Sequence, residues 1–165
     1  MEAWKRDAYY FVPSIPQEIL PNATSIMCEF TGNTDINAGG TCGMLAWNMA
    51  PFMGCTEIAL VGMDLSYKVD TPIEETQSYA NYEKSMGAEK VHEAFSVGKN
   101  PFFKTPYRID HVYDMFATTA MVWIKAFKDR DICTTYNCTE GGAIHGKGVE
   151  YMYLQEFLDK HCNRN

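Results

Sequence analysis

Three features of the sequence predict a three-layer, Rossmann-like α/β domain, with a mainly parallel sheet and helices on both faces. Helix and strand patterns alternate through much of the chain: helix 41–53, strand 57–63, helix 108–128, strand 131–136 and helix 150–161. Such alternation favours crossover connections and a parallel sheet. Residues 58–63 form a short continuous apolar run, as expected of a strand covered on both faces. A glycine-rich turn at 38–41 precedes the apolar run 42–53, which is too long for one strand and reads as a buried helix.

At 165 residues the chain reads as one domain, 1–165, long enough to bury a sizeable core. Hydrophobic residues make up 46% and charged residues 21%, ordinary for a globular protein. The net charge of −7 argues against non-specific nucleic-acid binding, which needs a Lys/Arg excess to neutralise phosphates. No run reaches the roughly 18 apolar residues of a membrane span, and no apolar leader follows Met1, so the expectation is a cytoplasmic protein. Cysteines occur at 28, 42, 55, 133, 138 and 162 with no CxxC pair. They read as reduced, mostly buried thiols, and their spacing does not suit zinc.

The elements can be justified in order. Residues 8–12 suggest a short strand, followed by a loop punctuated by Pro13, Pro16 and Pro21. Residues 24–30 suggest a second strand from their β-branched and aromatic content. At the glycine turn, Gly39 and Gly40 permit φ > 0 and close backbone approach. Thr41 can cap the following helix or act as a hydroxyl ligand to a phosphate. Pro51 should bend or end that helix, and Gly54 lies where a left-handed C-terminal residue is expected. The strand from 57 ends in Asp64, Ser66 and Tyr67, and ligands of open α/β sheets bind at such carboxyl ends.

Residues 68–107 read as an irregular, aromatic-rich insertion, helical at most near 72–86, and suited to be a substrate-covering lid. Residues 108–128 show the clearest amphipathic periodicity, with Ile109, Val112, Phe116, Ala120, Trp123 and Phe127 at helical spacing. His111 in its first turn is a candidate general acid or base, because histidine is the residue type best suited to proton transfer near neutral pH. The next strand runs into Asn137, Thr139 and Glu140, with Gly141 and Gly142 behind them.

No GxGxxG, P-loop or GxSxG motif is present. The order of features is more specific: a small-Gly-Gly-Thr turn, a helix closed by glycine, the segment EIALVGMDLSY, and later TYNCTEGGAIHG before a helix. This combination resembles the 6-hydroxymethylpterin diphosphokinase-like (MptE-like) Rossmann family and, more distantly, bacterial sialyltransferases. The resemblance covers roughly 37–67 and 108–160. It implies a nucleotide-dependent transferase that uses ATP or a nucleotide sugar with Mg²⁺ and acts on a small-molecule acceptor. On that reading Gly39, Gly40 and Thr41 lie against the nucleotide. Asp64 faces the reacting groups and holds Mg²⁺. Ser66, Tyr67, Asn137, Thr139 and Glu140 line the site.

The chain departs from the family in lacking its earlier strand and glycine-rich GPSL-like turn. It therefore reads as a partial version of the family fold: a fragment, a trimmed relative or a half completed by another chain. A homo-oligomer could cover its sheet edge. The alternative to an enzyme is a binding or assembly module that keeps the fold without the chemistry.

Overall fold

The computed structural model of the chain describes residues 12–13, 23–32, 35–36 and 39–162. It divides into two compact units, 1–53 and 54–165. In the first unit, β1 (Val12–Pro13) pairs in parallel with β2 (Asp35–Ile36). The remainder of the expected strand at 8–12, and Ala38 of the glycine turn, lie outside the described residues. Residues expected as a strand at 24–30 instead form helix α1 (Ala23–Thr31). Ile26, Met27 and Phe30 are exposed on this helix, and β-propensity is a weak guide because it depends on packing context.

Helix α2 (Cys42–Phe52) begins where the sequence places it. The Thr41 hydroxyl accepts a hydrogen bond from the Met44 amide at 3.1 Å and so caps the helix. Pro51 sits in the last turn, and the helix stops one residue later. Gly54 follows with φ +87°, the left-handed conformation expected just beyond a helix end.

The second unit is built on a three-stranded parallel sheet in the order β3 (Glu57–Leu60), β6 (Thr134–Asn137), β7 (Val149–Tyr151). Glu57 pairs with Thr134 and Leu60 with Asn137, so β3 and β6 end side by side. Strand β3 is shorter than the apolar run because Gly62, at φ +66°, turns the chain. Strand β7 occupies residues assigned from sequence to the last helix, which is shortened to α5 (Leu154–His161). Glu156 accepts from the Tyr153 amide at 3.1 Å and fixes that later start.

The segment 68–107 is far more regular than its composition suggests. It holds short 3₁₀ turns at 73–75 and 91–94, helix α3 (Tyr79–Met86) and strand β4 (Phe95–Lys99). Strand β4 pairs antiparallel with β5 (Pro106–Asp110). Helix α4 (His111–Asp129) therefore starts three residues after the periodicity implies. The cause is local: Asp110 caps the helix by accepting from the Tyr113 amide at 2.8 Å.

Helix α4 packs on β6 and β7, and α5 packs on β3. One core cluster joins Ile109, Ala117 and Ala143, flanked by Leu65, Tyr107 and Tyr113. Another joins Tyr136, Cys138 and Phe157. The fold is thus mixed α/β with a parallel sheet and an antiparallel hairpin. The cysteines are free thiols, but only Cys133 and Cys138 are buried; Cys42, Cys55 and Cys162 are exposed, contrary to the mostly buried reading. Among the described residues no helix is long and apolar enough to cross a membrane.

Candidate functional site

At the carboxyl ends of β3 and β6 the chain forms two loops that lie back to back. The first runs through Asp64 and the second through Gly142. The Ala143 amide donates to the Asp64 carbonyl at 2.8 Å. Gly142 has φ +72°, and a side chain there would meet the Asp64 carbonyl oxygen at 2.6 Å. Only glycine fits both the dihedral and the contact. Leu65 and Glu140 also hold positive φ, +46° and +64°. Backbone strain of this kind persists only where the surroundings enforce it, and it clusters at functional sites.

Two buried asparagines brace the second loop. Asn137, at the end of β6, donates to the carbonyls of Gly141 (3.1 Å) and Ile144 (2.8 Å) and accepts from the Thr139 amide at 2.8 Å. Asn100, in the β4–β5 turn, donates to the carbonyls of Gly141 and Gly142, each at 3.2 Å. Its carbonyl oxygen accepts from the amides of Phe102 and Phe103. The Thr139 hydroxyl bridges the loops, accepting from the Met63 amide and donating to the Leu60 carbonyl, both at 3.2 Å.

Between these loops and the start of β5 lies a cleft of about 540 Å³, within the range of small-molecule sites. Asp64, Ser66, Tyr67, Thr139 and Glu140 from the sequence reading all line it. Lys68, Asp70 and Tyr107 join them. Burial raises the pKa of Asp64, opposed by its own backbone hydrogen bond and by the Lys68 ammonium. The Ser66 hydroxyl donates to the Asp64 carbonyl at 3.2 Å. Tyr67 contributes its ring, since its hydroxyl donates to buried Asp110 at 3.1 Å. Burial raises its pKa as well. The Ser78 hydroxyl also donates to Asp110, which ties the 67–78 segment to the start of α4.

Other sequence candidates fall elsewhere. Asn137 supports the loop from within and does not line the cleft. His111 is exposed at the first turn of α4, edge-on to Tyr82, and is not among the lining residues. Gly39, Gly40 and Thr41 belong to the first unit, whereas the cleft is lined by the second. Gly39 and Gly40 do hold positive φ, +60° and +83°, and the Thr41 hydroxyl serves its helix as a cap.

Sequence reasoning passed over Asn100, Tyr107 and Lys68. Asn100-Pro101 is a turn signal, but nothing local marks its side chain as a support for a loop 41 residues away. Among the described residues, no group of three or more His, Cys, Asp or Glu side chains is arranged to hold a metal ion. No family model matches the chain, and no curated protein or solved structure matches it.

Proposed function

We propose that the chain is a nucleotide-dependent transferase, diphosphokinase-like or glycosyltransferase-like, built on a Rossmann-like three-layer plan related to the MptE-like family. Its reacting groups meet in the cleft at the ends of β3 and β6. The observation that carries the reading is the pair of strained loops, locked by Gly142 and two buried asparagines, that bring Asp64 and Glu140 to one cleft.

The charge of the lining bears on the ligand. Asp64, Asp70 and Glu140 outnumber Lys68. A phosphate enters such a cleft with a cation that offsets the carboxylates. The donor set suits Mg²⁺, which typically takes one or two carboxylates and completes its shell with phosphate oxygens and water rather than an all-protein cage. Asp64 is the carboxylate that would hold it. The ion would supply charge neutralisation on the phosphate. Lys68 lies within reach of the same anion as a point charge. Glu140, acceptor-only when ionised, orients a ligand hydroxyl.

A thermal-shift panel of ATP, GTP, CTP, CMP and sugar nucleotides, with and without Mg²⁺, tests this reading. At a hundred times its dissociation constant a ligand stabilises the fold by about 2.7 kcal/mol. The expected result is a Mg²⁺-dependent shift with one nucleotide class that Asp64→Asn abolishes. Absence of any shift across the panel removes the transferase reading and leaves a non-catalytic binding or assembly module.

A further inference from the structure

A transferase needs a group that moves a proton from the acceptor, and His111 does not line the cleft. Tyr107 does, and its phenolic oxygen lies 2.9 Å from Nε2 of His145. We propose that Tyr107 and His145 form a proton-transfer pair serving this cleft, with Tyr107 facing the acceptor and His145 acting through it. The proposal rests on the transferase reading above.

The seating of the pair is specific. Tyr107 stands on β5 directly opposite Gly98 of β4. A Cβ at position 98 would lie 2.5 to 2.7 Å from Cζ, the phenolic oxygen and Cε2 of Tyr107, so the missing side chain makes room for the phenol. His145 follows Ile144, whose carbonyl is held by Asn137 at 2.8 Å. The asparagine that shapes the Glu140 loop thus also fixes the backbone beside His145. Burial lowers the pKa of His145, which keeps the ring neutral at physiological pH and able to accept a proton. Burial, together with Asp114, raises that of Tyr107, so the phenol keeps its proton until a partner takes it.

In the forward step an acceptor hydroxyl gives its proton to the Tyr107 oxygen while the phenolic proton passes to Nε2. The acceptor oxygen forms its bond to the transferred group, the bond from that group to the nucleotide breaks, and His145 is left as imidazolium. It returns the proton to solvent after the leaving nucleotide departs. The step requires Nε2 to be unprotonated at the start, with the ring proton on Nδ1.

Two measurements decide it. Nitrogen-15 spectra of the labelled protein, with the His145 signal assigned by its loss in His145→Gln, report the tautomer. The expected result is the Nδ1–H form, with a His145 pKa that rises in Tyr107→Phe. An Nε2–H form, or no response to Tyr107→Phe, overturns the pair. Turnover is read as nucleotide product release from ATP, GTP, CTP and sugar nucleotides with Mg²⁺. Tyr107→Phe, which keeps the ring, should lose about 100-fold or more in kcat with KM little changed, as for loss of a general acid or base. Unchanged turnover in Tyr107→Phe overturns the pair alone. A wild-type protein that releases nothing from any of these nucleoside triphosphates or sugar nucleotides overturns the transferase reading, and the pair's role falls with it.

Discussion

Gly142→Ala puts the two-loop contact under direct strain. A methyl group at 142 would sit 2.6 Å from the Asp64 carbonyl oxygen, 2.7 Å from its Cα and 3.0 Å from its carbonyl carbon. All three are backbone atoms and cannot rotate away. The φ of +72° adds the left-handed cost of a non-glycine residue, about 1–2 kcal/mol. Forcing a methyl into a filled contact costs typically about 1–3 kcal/mol. The sum is a loss of about 2–5 kcal/mol, a large part of the roughly 5–15 kcal/mol by which domains are stable.

Gly62→Ala separates the two contributions. Its φ is +66°, yet nothing lies within 4 Å of the added carbon. It should lose only the dihedral cost of about 1–2 kcal/mol. Urea unfolding of both variants, compared at unchanged slope, measures the difference. A gap of about 1 kcal/mol corresponds to about 2–4 °C in Tm for a chain of this length. If Gly142→Ala loses no more than Gly62→Ala, the Asp64–Gly142 contact does not hold the loops and the site argument loses its foundation.

Two further predictions bear on the same site. Asn100→Ala removes a fully buried side chain and leaves two carbonyls and two amides without it; at about 1–3 kcal/mol for a buried group left unsatisfied, urea unfolding should show a loss of about 2–4 kcal/mol, and a loss below about 1 kcal/mol would count against its bracing role. Asp64 has its pKa raised above 3.8 by burial, so between that value and the raised one the native state binds more protons than the unfolded state, and stability falls as pH rises through the window. Asp64→Asn should therefore match the wild type below the window and exceed it in Tm above. Thermal melts from pH 3 to pH 8 check the sign, and an Asn variant less stable than wild type at neutral pH would refute it.

Much of the fold was legible because it depends on local chemistry. The hydroxyl of Thr41 at a helix start, glycine at 54 beyond its end, and the apolar face of 111–129 are signals within a few residues of the structure they specify. The hairpin of β4 and β5 was not legible. Residues 95–107 read as part of an irregular insertion, yet Gly98 pairs with Tyr107 and gives its ring space. The segment 24–30 read as a strand from its β-branched and aromatic content, and such a propensity yields to what packs nearby.

The sequence by itself placed Asp64, Ser66, Tyr67, Thr139 and Glu140 at the carboxyl ends of two strands, and any parallel pairing of those strands brings them to one edge. Only the tertiary structure decided which side chains are spent inside. It turned Asn137 inward as a brace, left His111 on an exposed turn, and brought Tyr107 to His145 across 38 residues. The physical reason is the difference in range. Caps, turns and periodicities are set by neighbours along the chain, whereas a buried hydrogen bond between distant loops exists only once the sheet has fixed where those loops meet.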